Sequence, residues 1–224
     1  MILAMVLRLS PSWAMVASPV TVTDITDKEQ EFALDTHGFQ LVVHRDESQA
    51  RQEGYQNDSE VKLSYYAEME QLIKNVLGAG NQSLRGPILR AHVDQSYKGA
   101  EYDLRWYLPD EADTLLAGRP IKPVYKDPLA VADATTVAEA DLIPARIIFE
   151  DHERESWTVK HSPSHRWYFK YGQQPDEVLL IKCFDSREDV ARRAPHSAFQ
   201  NPRHVDEPWR ESIEIRTMVF YGDQ

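Results

Sequence analysis

Cysteine is all but missing from this sequence: Cys183 is the only one in 224 residues. That excludes an internal disulfide and a Cys-rich zinc cluster, and it fits a reduced, cytoplasmic setting. A surplus of positive charge is missing as well. Lys and Arg number 25 against 36 Asp and Glu, a formal charge of −11, whereas a surface that wraps nucleic acid or anchors to anionic lipid needs the opposite sign. No apolar stretch approaches the length of a membrane span. Residues 1–17 are mildly apolar, but Arg8 sits inside the run and Ser10, Pro11 and Ser12 break it, so the uninterrupted middle of a signal peptide is lacking. Residues 1–18 are therefore expected to form a loose N-terminal segment. Familiar catalytic signatures are absent too: there is no Gly-rich phosphate loop, no Gly-x-Ser-x-Gly elbow and no His-Glu-x-x-His helix. Cys183 lies in an apolar run beside Leu180 and Phe184, which predicts burial rather than nucleophilic catalysis.

What is present reads as one globular domain over residues 19–224, with 42% apolar residues and aromatics spread along the chain. Val20, Val22 and Ile25 begin a strand, and residues 31–35 and 39–44 flank Thr36, His37 and Gly38, a hairpin-type turn. Ser59 is placed as the N-cap of a helix running to about Leu77, because Tyr66, Met69, Leu72, Ile73, Val76 and Leu77 recur at helical spacing. A short strand over 88–93 leads into Asp94. A second helical stretch covers about 97–107, is interrupted at Pro109, and resumes through Leu115 and Leu116 to Gly118. Short strands then follow at 146–149, 157–161, 166–171, 177–184 and 212–221. This is a mainly β chain with flanking helices, and strands at such intervals predict a sandwich or a jelly roll.

The chemistry concentrates in a few residues. His92 and Asp94 are two apart in a strand, so they point to one face and can bind one metal. A histidine, a carboxylate and a distant histidine make up the facial triad of iron(II) oxygenases, which leaves three positions open for cosubstrate and oxygen. The distant candidate is His196, on the segment after the apolar strand 177–185; His161 and His165 compete for the role, with Pro163 between them. Downstream, Arg210 and Ser212 form an Arg-x-Ser pair, a guanidinium fork with a hydroxyl on the same strand face, suited to a carboxylate. Arg216 shares that face and is the alternative anchor.

Six blocks taken together resemble the fungal hydroxylase/desaturase family of secondary metabolism. They are 85–97 (Arg-Gly-Pro-Ile-Leu-Arg-Ala-His-Val-Asp-Gln-Ser-Tyr), 127–133, 164–168, 175–186, 191–199 and 210–216. The resemblance implies a double-stranded β-helix that uses Fe(II), 2-oxoglutarate and O2 to hydroxylate or desaturate a small secondary metabolite. It assigns His92, Asp94 and His196 to the metal, and Arg210 with Ser212 to the cosubstrate carboxylate. Tyr97, His165, Trp167 and Tyr168, with Trp106, are the candidates for the substrate pocket. A small-molecule substrate is implied, with room for a homo-oligomer or a pathway partner. The alternative is a catalytically degenerate jelly-roll protein that binds or assists within a pathway. Two departures from the family pattern bear on that choice. Residues 78–82 run almost directly into the Arg-Gly-Pro block, and Gly118 and Arg119 run straight into Pro120. Each junction is expected to lack a strand, leaving an incomplete jelly roll with open sheet edges.

Overall fold

The computed structural model describes residues 2–9, 15–44, 81–82, 89–104, 112–148 and 153–220. In chain order the strands are β1 (Ile2–Leu9), β2 (Met15–Asp24), β3 (Phe39–Val43), β4 (Asn81–Gln82), β5 (His92–Val93), β6 (Ala112–Pro120) and β7 (Leu129–Ala132). There follow β8 (Leu142–Ile148), β9 (Glu153–Val159), β10 (Trp167–Phe169), β11 (Glu177–Asp185), β12 (His196–Ala198) and β13 (Ser212–Phe220). Two α-helices lie among the described residues, α1 (Leu34–His37) and α2 (Tyr97–Leu104). The strands form two sheets, of order β1-β2-β10-β7-β12-β5-β9-β8 and β3-β11-β6-β13-β4. Packed face to face, they make the double-stranded β-helix. No helix among the described residues is long and apolar enough to cross a membrane.

Burial explains the layering. The run Val178–Cys183 on β11, which pairs with β3 on one side and β6 on the other, is buried on both faces. One apolar cluster lies between the sheets, where Phe39, Leu116, Leu179, Ile181 and Cys183 meet Val131 from the larger sheet. A second covers the far face of the larger sheet and is built on Val22, Ala130, Ala132, Trp167, Phe169 and Phe199. The triad region sits on the inner face, between the two layers.

Several sequence expectations are corrected. The N-terminal segment is not loose: Ile2–Leu9 pairs along its whole length with β2, and β2 is itself tied in by parallel pairing to β10. Leu115 and Leu116 continue no helix but lie in β6, because pairing with β11 on one side and β13 on the other overrides local propensity. At the junction where a strand was expected to be missing, β6 runs through Arg119 and Pro120, which lie opposite Ile213 and Ser212 of β13. At the other junction Asn81 and Gln82 pair with Arg216 and Ile215. The helix expected over 59–77 and Trp106 lie outside the described residues.

The turn at Gly38 also differs from the expected hairpin. Leu34–His37 is a single helical turn that Gly38 ends in the left-handed region, with φ of 80°. A Cβ there would meet the Ala194 Cβ and the Arg193 carbonyl at 3.0 Å. Gly38→Ala is therefore expected to destabilise the fold by about 1–3 kcal/mol, read as a lower urea midpoint with an unchanged slope.

Candidate metal centre

Backbone register builds this site. β12 meets β5 through one residue pair, His196 opposite His92, and directly opposed residues in antiparallel strands share a face. The two imidazoles accordingly lie with ring centroids 4.5 Å apart. Asp94, two residues past His92, turns its carboxylate between them. Oδ1 is 3.5 Å from His92 Nε2 and Oδ2 is 3.8 Å from His196 Nε2. One ligand atom from each of the three residues falls within 4.8 Å of the others, and both histidines are buried.

The imidazoles are held in one tautomer. His92 Nδ1 lies 2.7 Å from the Arg90 carbonyl oxygen and His196 Nδ1 lies 3.2 Å from that of Ala194. A carbonyl only accepts, so each Nδ1 carries the proton and each Nε2 presents its lone pair to the centre. Burial, reinforced by the neighbouring His92, lowers the His196 pKa to about 4, and that lone pair is free at neutral pH. Burial would raise the Asp94 carboxyl, but His92, His196 and Arg216 outweigh it and hold the group well below the usual carboxylate range. Two neutral nitrogens and one ionised carboxylate on one side of an open cleft are the donor set that suits non-haem iron(II).

Arg216 is committed to Asp94. Its Nη2 donates to Oδ1 at 2.9 Å and its Nε to Oδ2 at 3.2 Å, a two-point grip that fixes the plane of the carboxylate. The Cys183 thiol lies 3.6 Å from the same Oδ2. Burial, with Asp94 alongside, pushes that thiol well up, so Cys183 is a buried donor to Asp94 and not a nucleophile. Glu214 shares the β13 face of Arg216, and burial raises its pKa. Neither the Cys183–Asp94 contact nor Glu214 was anticipated, although the period-two spacing of Ser212, Glu214 and Arg216 was a signal for the second. Burial lowers the Arg210 pKa despite the nearby charges of Glu214 and Asp127. Its Nε is sealed from solvent and has no hydrogen-bond partner among the described residues.

The pocket candidates fare differently. Trp167 is 1% exposed in the core cluster on the far face of the larger sheet, which the alternation from Tyr168 dictates. Tyr168 faces inward but packs on Phe32 and Phe39, with ring centroids 4.8 and 6.2 Å away. His165 is bound through Nε2 to Asp141 Oδ2 at 3.0 Å, outside the triad. The Tyr97 hydroxyl donates to Glu139 at 2.8 Å while Arg192 lies 4.1 Å over its ring; burial raises its pKa to about 12, and it stays protonated. A cleft of about 340 Å³ does open onto Asp94 and Arg216, but Lys98, Arg154 and Glu155 are among its walls instead of the expected aromatics.

This chain is similar to known proteins. A family model described as an oxidoreductase/YMDC permease-like domain matches residues 7–220. The hydroxylase/desaturase efuI of Hormonema carpetanum is 35% identical over 256 aligned positions, which take in 92% of this chain and 84% of efuI. The hydroxylase/desaturase asaB of Aspergillus flavus is 33% identical over 223 positions, covering 92% of this chain and 82% of asaB. The solved structure of the iron and alpha-ketoglutarate-dependent endoperoxidase NvfI superposes with a TM-score of 0.82 at 26% identity, over 99% of this chain and 96% of that one. The efuI alignment is longer than the 224 residues of this chain, so efuI carries stretches that this chain lacks.

Proposed function

The chain belongs to the fungal hydroxylase/desaturase family of oxidoreductases, and from that premise we propose that it oxidises a small molecule with iron(II), 2-oxoglutarate and O2, holding the metal on His92, Asp94 and His196. The observation that carries this reading is the convergence of the two Nε2 atoms and the Asp94 carboxylate with both Nδ1 atoms tied to backbone carbonyls. Bound iron(II) supplies a redox centre at which 2-oxoglutarate is converted to succinate and CO2 while a substrate C–H bond is oxidised. The chain's own groups hold and shape that centre. The carbonyls of Arg90 and Ala194 aim the imidazoles, and Arg216 and Cys183 orient the carboxylate. Arg210, with a sealed and unpartnered Nε, receives the far carboxylate of the cosubstrate beside Ser212. The degenerate reading is disfavoured because the donor set is complete and β6 is paired on both sides. A cytoplasmic setting fits the free, buried Cys183.

The test is iron content together with succinate formation that depends on added 2-oxoglutarate; a protein that binds neither sinks the reading. Arg210→Leu should weaken 2-oxoglutarate binding by roughly 10- to 100-fold, the worth of a charge-assisted hydrogen bond, and leave iron binding unchanged. If Arg216→Leu raises the 2-oxoglutarate requirement and Arg210→Leu does not, the anchor is Arg216.

A further inference from the structure

The cleft at Asp94 is lined by charges that do not cancel. Arg216 is spent on Asp94, and Arg146 lies 3.3 Å from Glu153. Glu155 accepts from the Ser96 hydroxyl at 2.7 Å. Lys98 and Arg154 remain, and neither side chain has an ion-pair or hydrogen-bond partner among the described residues. Two uncommitted cations against one acid is a local positive surplus in a chain whose formal charge is −11.

Register shows what lies between these cations and the metal centre. Thr158 is opposite His92, and Ile143 is opposite Thr158, so all three share the inner face. Moving along the hairpin two residues at a time, the same face carries Ser156 with Ala145 and then Arg154 with Ile147. Ile143, Ala145 and Ile147 are each only partly buried, although they lie on the inner face. Four residues of strand separate the His92 level from Arg154, roughly 13 Å. The inner face thus runs from the metal ligands, past partly buried aliphatic side chains, to Arg154, which lines the cleft together with Lys98 of α2.

On the reading proposed above, we propose that the substrate is a small amphipathic acid, its carboxylate between Lys98 and Arg154 and its apolar body along Ile143, Ala145 and Ile147. The carbon that is oxidised is then remote from the carboxylate. Both cations are exposed, so a neutral substrate would forgo the charge-assisted pairs a carboxylate makes with them, and a wholly polar one would leave Ile143, Ala145 and Ile147 without apolar contact.

The experiment uses the full chain loaded with Fe(II) and 2-oxoglutarate without oxygen, titrated calorimetrically with cinnamic, 4-phenylbutyric and decanoic acids, each beside its methyl ester. At least one acid should bind roughly 10- to 100-fold tighter than its ester. The doubly substituted Lys98→Met/Arg154→Met protein should lose that preference. Iron content and 2-oxoglutarate affinity are measured on both proteins. Every acid equalling its ester, absence of binding included, overturns the proposal, as does a preference that survives the double substitution. A drop in 2-oxoglutarate affinity in the variant also overturns it, because the cations then serve the cosubstrate. Wild-type protein that binds no iron or no 2-oxoglutarate fails the oxygenase reading instead.

Discussion

His196→Ala should empty the metal site and stop 2-oxoglutarate turnover, a loss well beyond the roughly 10- to 100-fold that removing a partner behind a ligand costs. The reason is geometric. His196 is the only donor supplied by β12, and it reaches the centre through one cross-strand pair with His92. The two donors left, His92 and Asp94, come from one short stretch and cannot hold a labile divalent ion on three sides. His165→Ala should keep its iron, because His165 is bound to Asp141 and not to the triad. Metal content after dialysis, measured beside succinate yield, separates the two variants. Iron retained by His196→Ala and lost from His165→Ala would reverse the ligand assignment.

Lys182→Met should cost about 3–5 kcal/mol of folding stability, the penalty for breaking a buried ion pair from one side. The Lys182 side chain is 1% exposed, and its amine reaches Asp185, 3% exposed, and Asp35 Oδ1 at 2.7 Å. Without that amine Asp185 keeps the Arg187 backbone N–H at 2.9 Å but loses its charge partner. Asp35 is largely exposed, so water takes over its share and Asp185 bears the cost. Adding Asp185→Asn to Lys182→Met should recover a large part of the loss, since the stranded charge is then gone. Urea unfolding of the single and double variants decides the matter. A single variant within about 1 kcal/mol of wild type would mean that the network is dispensable.

The site was more legible in the sequence than the fold around it. Ala91, His92, Val93 and Asp94 show their chemistry at short range, since spacing by two is a statement about one strand face. His196 follows a nine-residue apolar strand whose end brings the chain back beside His92 and Asp94, and order along the chain was enough to single it out. The pocket was not legible, because which face an aromatic occupies depends on long-range pairing. Trp167 and Tyr168 are neighbours, and the parallel register of β10 with β2 sends one outward and the other into the core between the sheets. Leu115 and Leu116 misled for a related reason: two adjacent leucines carry no period, and β11 and β13 decided their conformation. The grip of Arg216 on Asp94 joins residues far apart in sequence, and nothing local to either announces it.

The narrow seam between β5 and β12 has a thermodynamic consequence. Only one residue pair joins these strands, so the backbone contributes little to keeping them together. An ion shared by His92, Asp94 and His196 would act there as a reversible cross-link, closing a loop of about 100 residues across the weakest line of the larger sheet. Its contribution depends on supply: a ligand at 100 times its dissociation constant adds about 2.7 kcal/mol to folding, a large fraction of the roughly 5–15 kcal/mol that holds a domain together. On the proposed ligand set, the amount of folded protein rises and falls with the free iron around it, so metal starvation lowers both the catalyst's activity and its abundance.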